Sequence, residues 1–153
     1  WAVLGAEGKT PVATKESIFM DGYVTLQAPD AALLTKWNRI RDIREAVNKD
    51  IETLRAAGQV GASLQAEVTL TVPAEDLAIL SSLGADLKFV FITSAITLVA
   101  GSAQSAGVSA SNGTKCERCW HYTSDVGSVA SHPTLCGRCA SNLDGAGETR
   151  TFA

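Results

Sequence analysis

The stretch from Lys115 to Cys139 limits the chain more than any other, because it holds all four cysteines as two C-x-x-C pairs. Cys116 and Cys119 form the first pair, Cys136 and Cys139 the second, with sixteen residues between Cys119 and Cys136. That spacing falls within the range of four-cysteine zinc sites. Two cysteines three apart put both sulfurs on one side of a tight turn. Two such turns facing each other close a tetrahedron of thiolates about 2.3 Å from one ion. Zinc is borderline-soft and has no redox chemistry of its own, which suits a thiolate cage. Four protein ligands leave no position for water, so one structural zinc ion is expected rather than a catalytic one.

Other uses of the cysteines fit less well. A disulfide framework belongs to secreted, cysteine-rich chains, and nothing at the start of this one resembles a signal peptide. A redox C-x-x-C normally stands singly near a βαβ unit. Iron in a four-thiolate site is chemically open. Thiols kept for metal point to a reducing, cytoplasmic location. The net charge of −3 over 153 residues argues against a uniformly basic nucleic-acid binder, so any RNA contact has to be local. No apolar run reaches the ~18 residues of a membrane span, so no membrane partner is expected. The chain opens on Trp1, as a fragment or a processed product would.

The expected fold class is α+β: a small α-β-α-β unit followed by a four-cysteine module on β-hairpin-like arms. Residues 1–30 read as the tail of a preceding domain, loop with one short strand or turn, despite apolar runs at Ser17–Met20 and Tyr23–Leu26. Residues 31–100 form the α+β unit. Leu33, Trp37, Ile40, Val47, Ile51 and Leu54 recur at helical spacing, with Asp30 as N-cap and Gly58 at the C′ position. Ala66 to Val72 alternates as a half-buried strand. Pro73 opens a short helix to Leu83, which Gly84 stops. Leu87 to Val99 is β-branched and aromatic and reads as one or two strands, with a possible break at Ser94. Two strands joined through a helix can pair in parallel. Residues 101–114 are rich in Gly, Ser and Ala and uncharged, and read as a flexible linker. Residues 115–153 are the zinc module, too short to hold a core alone, so its folding should depend on metal.

Several residues around this frame are candidates for nucleic-acid contact. The outer face of the first helix is slightly basic and is mostly a solvated face with pairs such as Glu45–Lys49. Arg39, Arg41 and Arg44 are the ones singled out for phosphate contact. Arg118 and Arg138 each precede the second cysteine of a pair, where they can offset the −2 charge of a four-thiolate zinc site or meet phosphate. Trp120 and Tyr122 flank His121. Tyr122 reads as packing beside the metal, whereas Trp120 can either pack there or stack on an unpaired base. His121 and His132 are near, but four thiolates already fill the coordination sphere.

Read together, K-C-E-R-C-W-H-Y-T-S-D-V-G, H-P-T-L-C-G-R-C-A-S-N-L and the final G-A-G-E-T-R-T-F-A resemble the C-terminal end of bacterial isoleucyl-tRNA synthetases. Upstream, W-N-R-I-R-D-I-R-E-A-V-N-K-D-I-E, V-G-A-S-L-Q-A-E-V-T-L and L-K-F-V-F-I-T-S are similar to the segment before that family's zinc finger. E-S-I-F-M-D-G-Y is similar to the stretch before that. The resemblance covers nearly the whole chain in order and is weakest in the Gly/Ser/Ala-rich segment.

The resemblance implies a class I, ATP-dependent, cytoplasmic and monomeric parent ligase that joins isoleucine to tRNA(Ile). The H-I-G-H and K-M-S-K-S signatures of that class do not occur in these residues. No catalytic residue is therefore expected, and the chain should be inert alone. Its implied partners are tRNA(Ile), on the anticodon-stem-loop side, and the rest of the synthetase. Its implied metal ligands are Cys116, Cys119, Cys136 and Cys139, with Trp120 as a base contact. Formamidopyrimidine-DNA glycosylases end in a similar zinc finger with the same spacing, so a DNA-binding module of a repair enzyme is an alternative. A purely structural or protein-interaction zinc module is another, and it would bind no tRNA.

Overall fold

The computed structural model describes residues 27–149. The apolar runs expected in residues 1–26 and the terminus from Arg150 onward lie outside that range. The described residues form an α+β unit with a zinc-finger module built on its end.

The first helix, α1, spans Ala31–Ala56 and begins directly after Asp30. Its buried stripe is Ile40, Ile43, Val47 and Ile51, at helical spacing. Trp37 packs partly buried beside that core, while Leu33 at the N-terminal end of the expected stripe stays exposed. Gly58 takes φ +72°. Its N–H donates to Arg55 O at 3.0 Å, and the Gln59 N–H donates to Leu54 O at 3.0 Å. This pair of bonds is the Schellman ending, for which glycine carries no steric cost.

β1 (Ala66–Val72) is the central strand, with Ala66, Val68, Leu70 and Val72 buried, as its alternation predicts. α2 (Ala74–Ser81) follows, with Pro73 as its N-cap residue. A 3-10 turn over Gly84–Asp86 then leads into α3 (Leu87–Phe91) and β2 (Ala95–Ala100). β2 lies parallel to β1, pairing Glu67 with Ala95 and Val72 with Ala100. The run from Leu87 to Val99 is thus a helical turn and then a strand, rather than strand throughout. Leu87 and Phe91, four apart, both reach the core, and a short apolar run does not reveal its period.

Residues 101–114 depart most from the expectation of a flexible linker. Ser105–Ala110 is β3, antiparallel to β1, so the sheet order is β2-β1-β3. The small residues alternate: Ala106 and Val108 pack on the core, while Ser105, Gly107 and Ser109 face away. Backbone pairing with β1 and two apolar contacts outweigh the low strand preference of Gly and Ser. α1 packs against β3 and α2 against β2, so both helices serve one core.

Candidate metal centre

After β3 the chain crosses Asn112–Gly113 into a short hairpin, β4 (Thr114–Lys115) with β5 (Tyr122–Thr123). Gly113 is needed there, because a Cβ would lie 2.7 Å from Thr123 N and 2.9 Å from the Tyr122 carbonyl carbon. The first cysteine pair occupies the loop of this hairpin. The Cys116 N–H donates to His121 O at 2.9 Å, and the Trp120 N–H donates to Cys116 O at 2.9 Å. Trp120 closes the knuckle with φ +65°, a left-handed conformation unusual for a bulky residue. It is therefore not on a strand with Tyr122.

The second pair sits on a helix rather than on a second hairpin arm. Cys136 is the N-cap residue of α4 (Gly137–Asp144), and Cys139 lies in its first turn. The positive end of a helix favours thiolates at this position.

The two knuckles converge. The four Sγ atoms lie within 4.8 Å of one another, and Cys119 Sγ is 3.8 Å from Cys136 Sγ. A tetrahedron of thiolates about 2.3 Å from one zinc has edges of about 3.8 Å, so this separation is a ligand-to-ligand distance and is far too long for a disulfide. Cys116, Cys136 and Cys139 are buried and Cys119 partly so, with Val126 and Leu135 packed around them. A thiolate-only donor set of this size fits one structural zinc ion.

The surroundings differ from sulfur to sulfur. Burial works to raise the Cys116 pKa, but hydrogen bonds from the Cys119, Cys136 and Arg118 backbones bring it down to about 6. Burial pushes the Cys136 thiol up to about 12 and the Cys139 thiol up as well. Arg118 donates to Cys139 Sγ at 3.7 Å. Burial opposes the Arg138 charge, yet the Cys119 sulfur and Glu148 outweigh it and hold the guanidinium firmly protonated. Arg138 also donates to Glu148 at 3.1 Å. Both arginines therefore stand where they offset thiolate charge.

The nearby histidines point elsewhere. His121 Nδ1 faces Cys119 O at 3.2 Å, and His132 Nε2 meets Asp144 Oδ2 at 2.6 Å. Trp120 is 60% exposed. Its Nε1–H donates to Glu117 O at 3.1 Å, and Lys115 Nζ stands 5.6 Å from the ring centroid.

On α1 the three arginines separate. Arg39 makes a two-pronged contact with Asp76 at 2.7 and 2.6 Å. Arg41 is exposed beside Asn38, and Arg44 is half-buried. Sequence reasoning had passed over Asp76 and also Asp125. Asp125 accepts from Thr123 Oγ1 at 2.5 Å and from the Gly137 N–H at 2.9 Å, so one carboxylate latches the hairpin to the start of α4. The Thr123 hydroxyl, and then the Gly137 amide, hold its pKa below the usual carboxylate range against a smaller opposing effect of burial. The T-S-D turn signal was visible, but its partner twelve residues away was not.

Comparison with known proteins matches residues 113–142 to the family described as "Zinc finger found in FPG and IleRS". The chain is 50% identical over its whole length to the isoleucine–tRNA ligase of Azoarcus sp. (strain BH72), covering 16% of that protein. It is 52% identical to the isoleucine–tRNA ligase of Chromobacterium violaceum, over 81% of the chain and 13% of the relative. It is 48% identical over its whole length to that of Bordetella parapertussis, covering 17% of the relative. The chain thus spans about one-sixth of the length of the relatives that it matches from end to end.

Proposed function

We infer, for a chain homologous over its whole length to the C-terminal portion of bacterial isoleucine–tRNA ligases, that it is a tRNA-binding module of such an enzyme. In this reading Cys116, Cys119, Cys136 and Cys139 hold one structural zinc ion. The module helps position tRNA(Ile), from the anticodon side, for aminoacylation by domains elsewhere in a cytoplasmic, monomeric parent. Its contribution is binding and geometry, which reach the chemistry by fixing where the acceptor end lies. The observation that carries the reading is that the match runs through the α+β unit as well as the finger. This favours a synthetase over a repair glycosylase, with which only the finger would be shared.

The geometry supports some contacts more than others. Trp120 offers an exposed ring on a metal-braced knuckle, with Lys115 beside it to meet phosphate, which is the pairing that stacking on unpaired RNA uses. Arg41 is free to meet phosphate at the surface of α1, and Arg44 only in part. Arg39 is occupied by Asp76, while Arg118 and Arg138 serve the thiolates first. Among the described residues no helix is long and apolar enough to cross a membrane.

The test is titration of the zinc-loaded chain with tRNA(Ile) and a non-cognate tRNA at two salt concentrations, repeated after chelation. Binding should be zinc-dependent, weaken with salt and favour tRNA(Ile). Trp120→Ala should weaken it by about 1–3 kcal/mol, the worth of one stacked base. A folded, zinc-loaded chain that binds no tRNA at low salt would instead be a structural appendage.

A further inference from the structure

The corner between α3 and β2 touches both halves of the zinc finger. The Phe89 ring meets His121 edge-on, with centroids 5.3 Å apart and planes at 79°. The same ring lies 4.9 Å from the Arg138 guanidinium carbon. His121 follows the first knuckle and Arg138 belongs to the second, so one side chain of the α+β unit reaches both. Five residues on, Ser94 is buried and its hydroxyl bridges two backbones. It donates to Leu64 O, just before β1, and accepts the Tyr122 N–H of β5 at 2.6 Å. The Ser94 N–H donates to Ala66 O at 3.0 Å, which fixes the corner to β1.

The backbone between these two residues is held in an unfavourable shape. Ile92 occupies the C′ position of α3 with φ +57° and ψ +49°, a left-handed conformation that glycine normally supplies. A β-branched residue persists there only where surrounding contacts over-determine the turn. Those contacts are the Thr93 N–H to Lys88 O and the Ile92 N–H to Phe89 O, together with the anchored Ser94. The turn delivers Phe89 and Ser94 to the same side, facing the finger.

We propose that Phe89 and Ser94 are positioning residues that lock the zinc finger onto the α+β unit in one orientation. The finger's exposed knuckle and the exposed face of α1 that carries Arg41 are then held in one fixed relation when RNA engages them. The short Ser111–Gly113 crossing, held to the α+β unit by the Ser111 N–H to Gln65 O, limits how far the finger can swing, and the Phe89 and Ser94 contacts select one orientation within that range. The orientation part stands on contacts within the chain; the RNA part rests on the reading given under Proposed function. Rigid presentation favours binding because less freedom is lost when RNA engages both surfaces.

Phe89→Leu and Ser94→Ala test this in the full 153-residue chain. Phe89→Leu keeps apolar bulk but loses the ring, and Phe89→Tyr serves as the conservative control. Residual dipolar couplings report the orientation of residues 114–144 against residues 31–110, and metal analysis reports zinc. In the wild type both segments should fit one alignment tensor. In the Phe89→Leu/Ser94→Ala variant, with zinc retained, they should require two. tRNA affinity should fall about 10-fold, and the single variant Phe89→Tyr, which keeps the ring and Ser94, should retain the single tensor. A single tensor in the zinc-loaded double variant would overturn the proposal. If the double variant does not fold, Phe89→Leu alone decides by the same tensor comparison. If the wild type binds no tRNA, the RNA reading falls, while the couplings still decide the orientation.

Discussion

Removing the arginine of the Arg39–Asp76 pair should cost more than removing the aspartate. Asp76 is only 2% exposed, whereas the Arg39 side chain remains 42% exposed. Arg39→Ala leaves a carboxylate buried on α2 without its two donors. Stranding a buried charge costs about 3–5 kcal/mol. The lower end applies, because the departing side chain opens a path for water, so we expect about 3 kcal/mol. Asp76→Asn strands only a guanidinium that already reaches water and loses charge-assisted hydrogen bonds, worth about 1.5–3 kcal/mol. We expect the lower end there also.

The pair also carries a pH signature. The two-pronged hydrogen bond from Arg39 holds the Asp76 pKa below its ordinary 3.8, with burial opposing less strongly. A depressed folded-state pKa contributes stability that is fully present above the unfolded value and lost as pH falls through the folded one. Urea unfolding of the zinc-loaded chain and both variants at pH 7 gives the ranking. Repeating it from pH 5 downward should show the wild-type advantage over Asp76→Asn shrinking. Equal costs for the two substitutions, or an advantage independent of pH, would refute the assignment of Arg39 to a structural pair. An Arg39→Ala variant of unchanged stability but weaker tRNA binding would return Arg39 to the phosphate contacts.

Zinc binding to the metal-free protein at pH 7 should release close to four protons, since the thiols of an unfolded zinc module, with an ordinary pKa of about 8.5, are mostly protonated and must ionise to bind; calorimetry in buffers of different ionisation enthalpy counts them. Cys116→Ser should abolish stoichiometric zinc and unfold residues 114–144, while the β1 amides stay protected in hydrogen exchange. Asp125→Ala should cost about 1–3 kcal/mol by stranding the Gly137 N–H and the Thr123 hydroxyl, read as a lower thermal midpoint of the zinc-loaded chain. Gly113→Ala should disrupt the β4–β5 hairpin, because its Cβ meets backbone atoms rather than a flexible side chain; unchanged Tyr122 and Thr123 amide shifts would contradict this.

The parts of this protein that are legible in its residues are those whose causes are local. Two C-x-x-C pairs imply two knuckles because three residues suffice to turn two sulfurs toward one point. The stripe of α1 and its Gly58 ending were readable for the same reason, as were the alternation of β1 and the exposed face of α1. Tertiary structure decided what depends on distant partners. Ser105–Ala110 is a strand because β1 offers an unpaired edge, which Gly and Ser do not announce. Leu87–Phe91 is a helical turn because its two ends meet an existing core. Asp76, Asp125 and Ser94 acquired their roles from donors or acceptors 12 to 37 residues away. A hydrogen bond depends on where its partner finally stands, and that is fixed only when the sheet, α1 and the zinc knuckles have packed together.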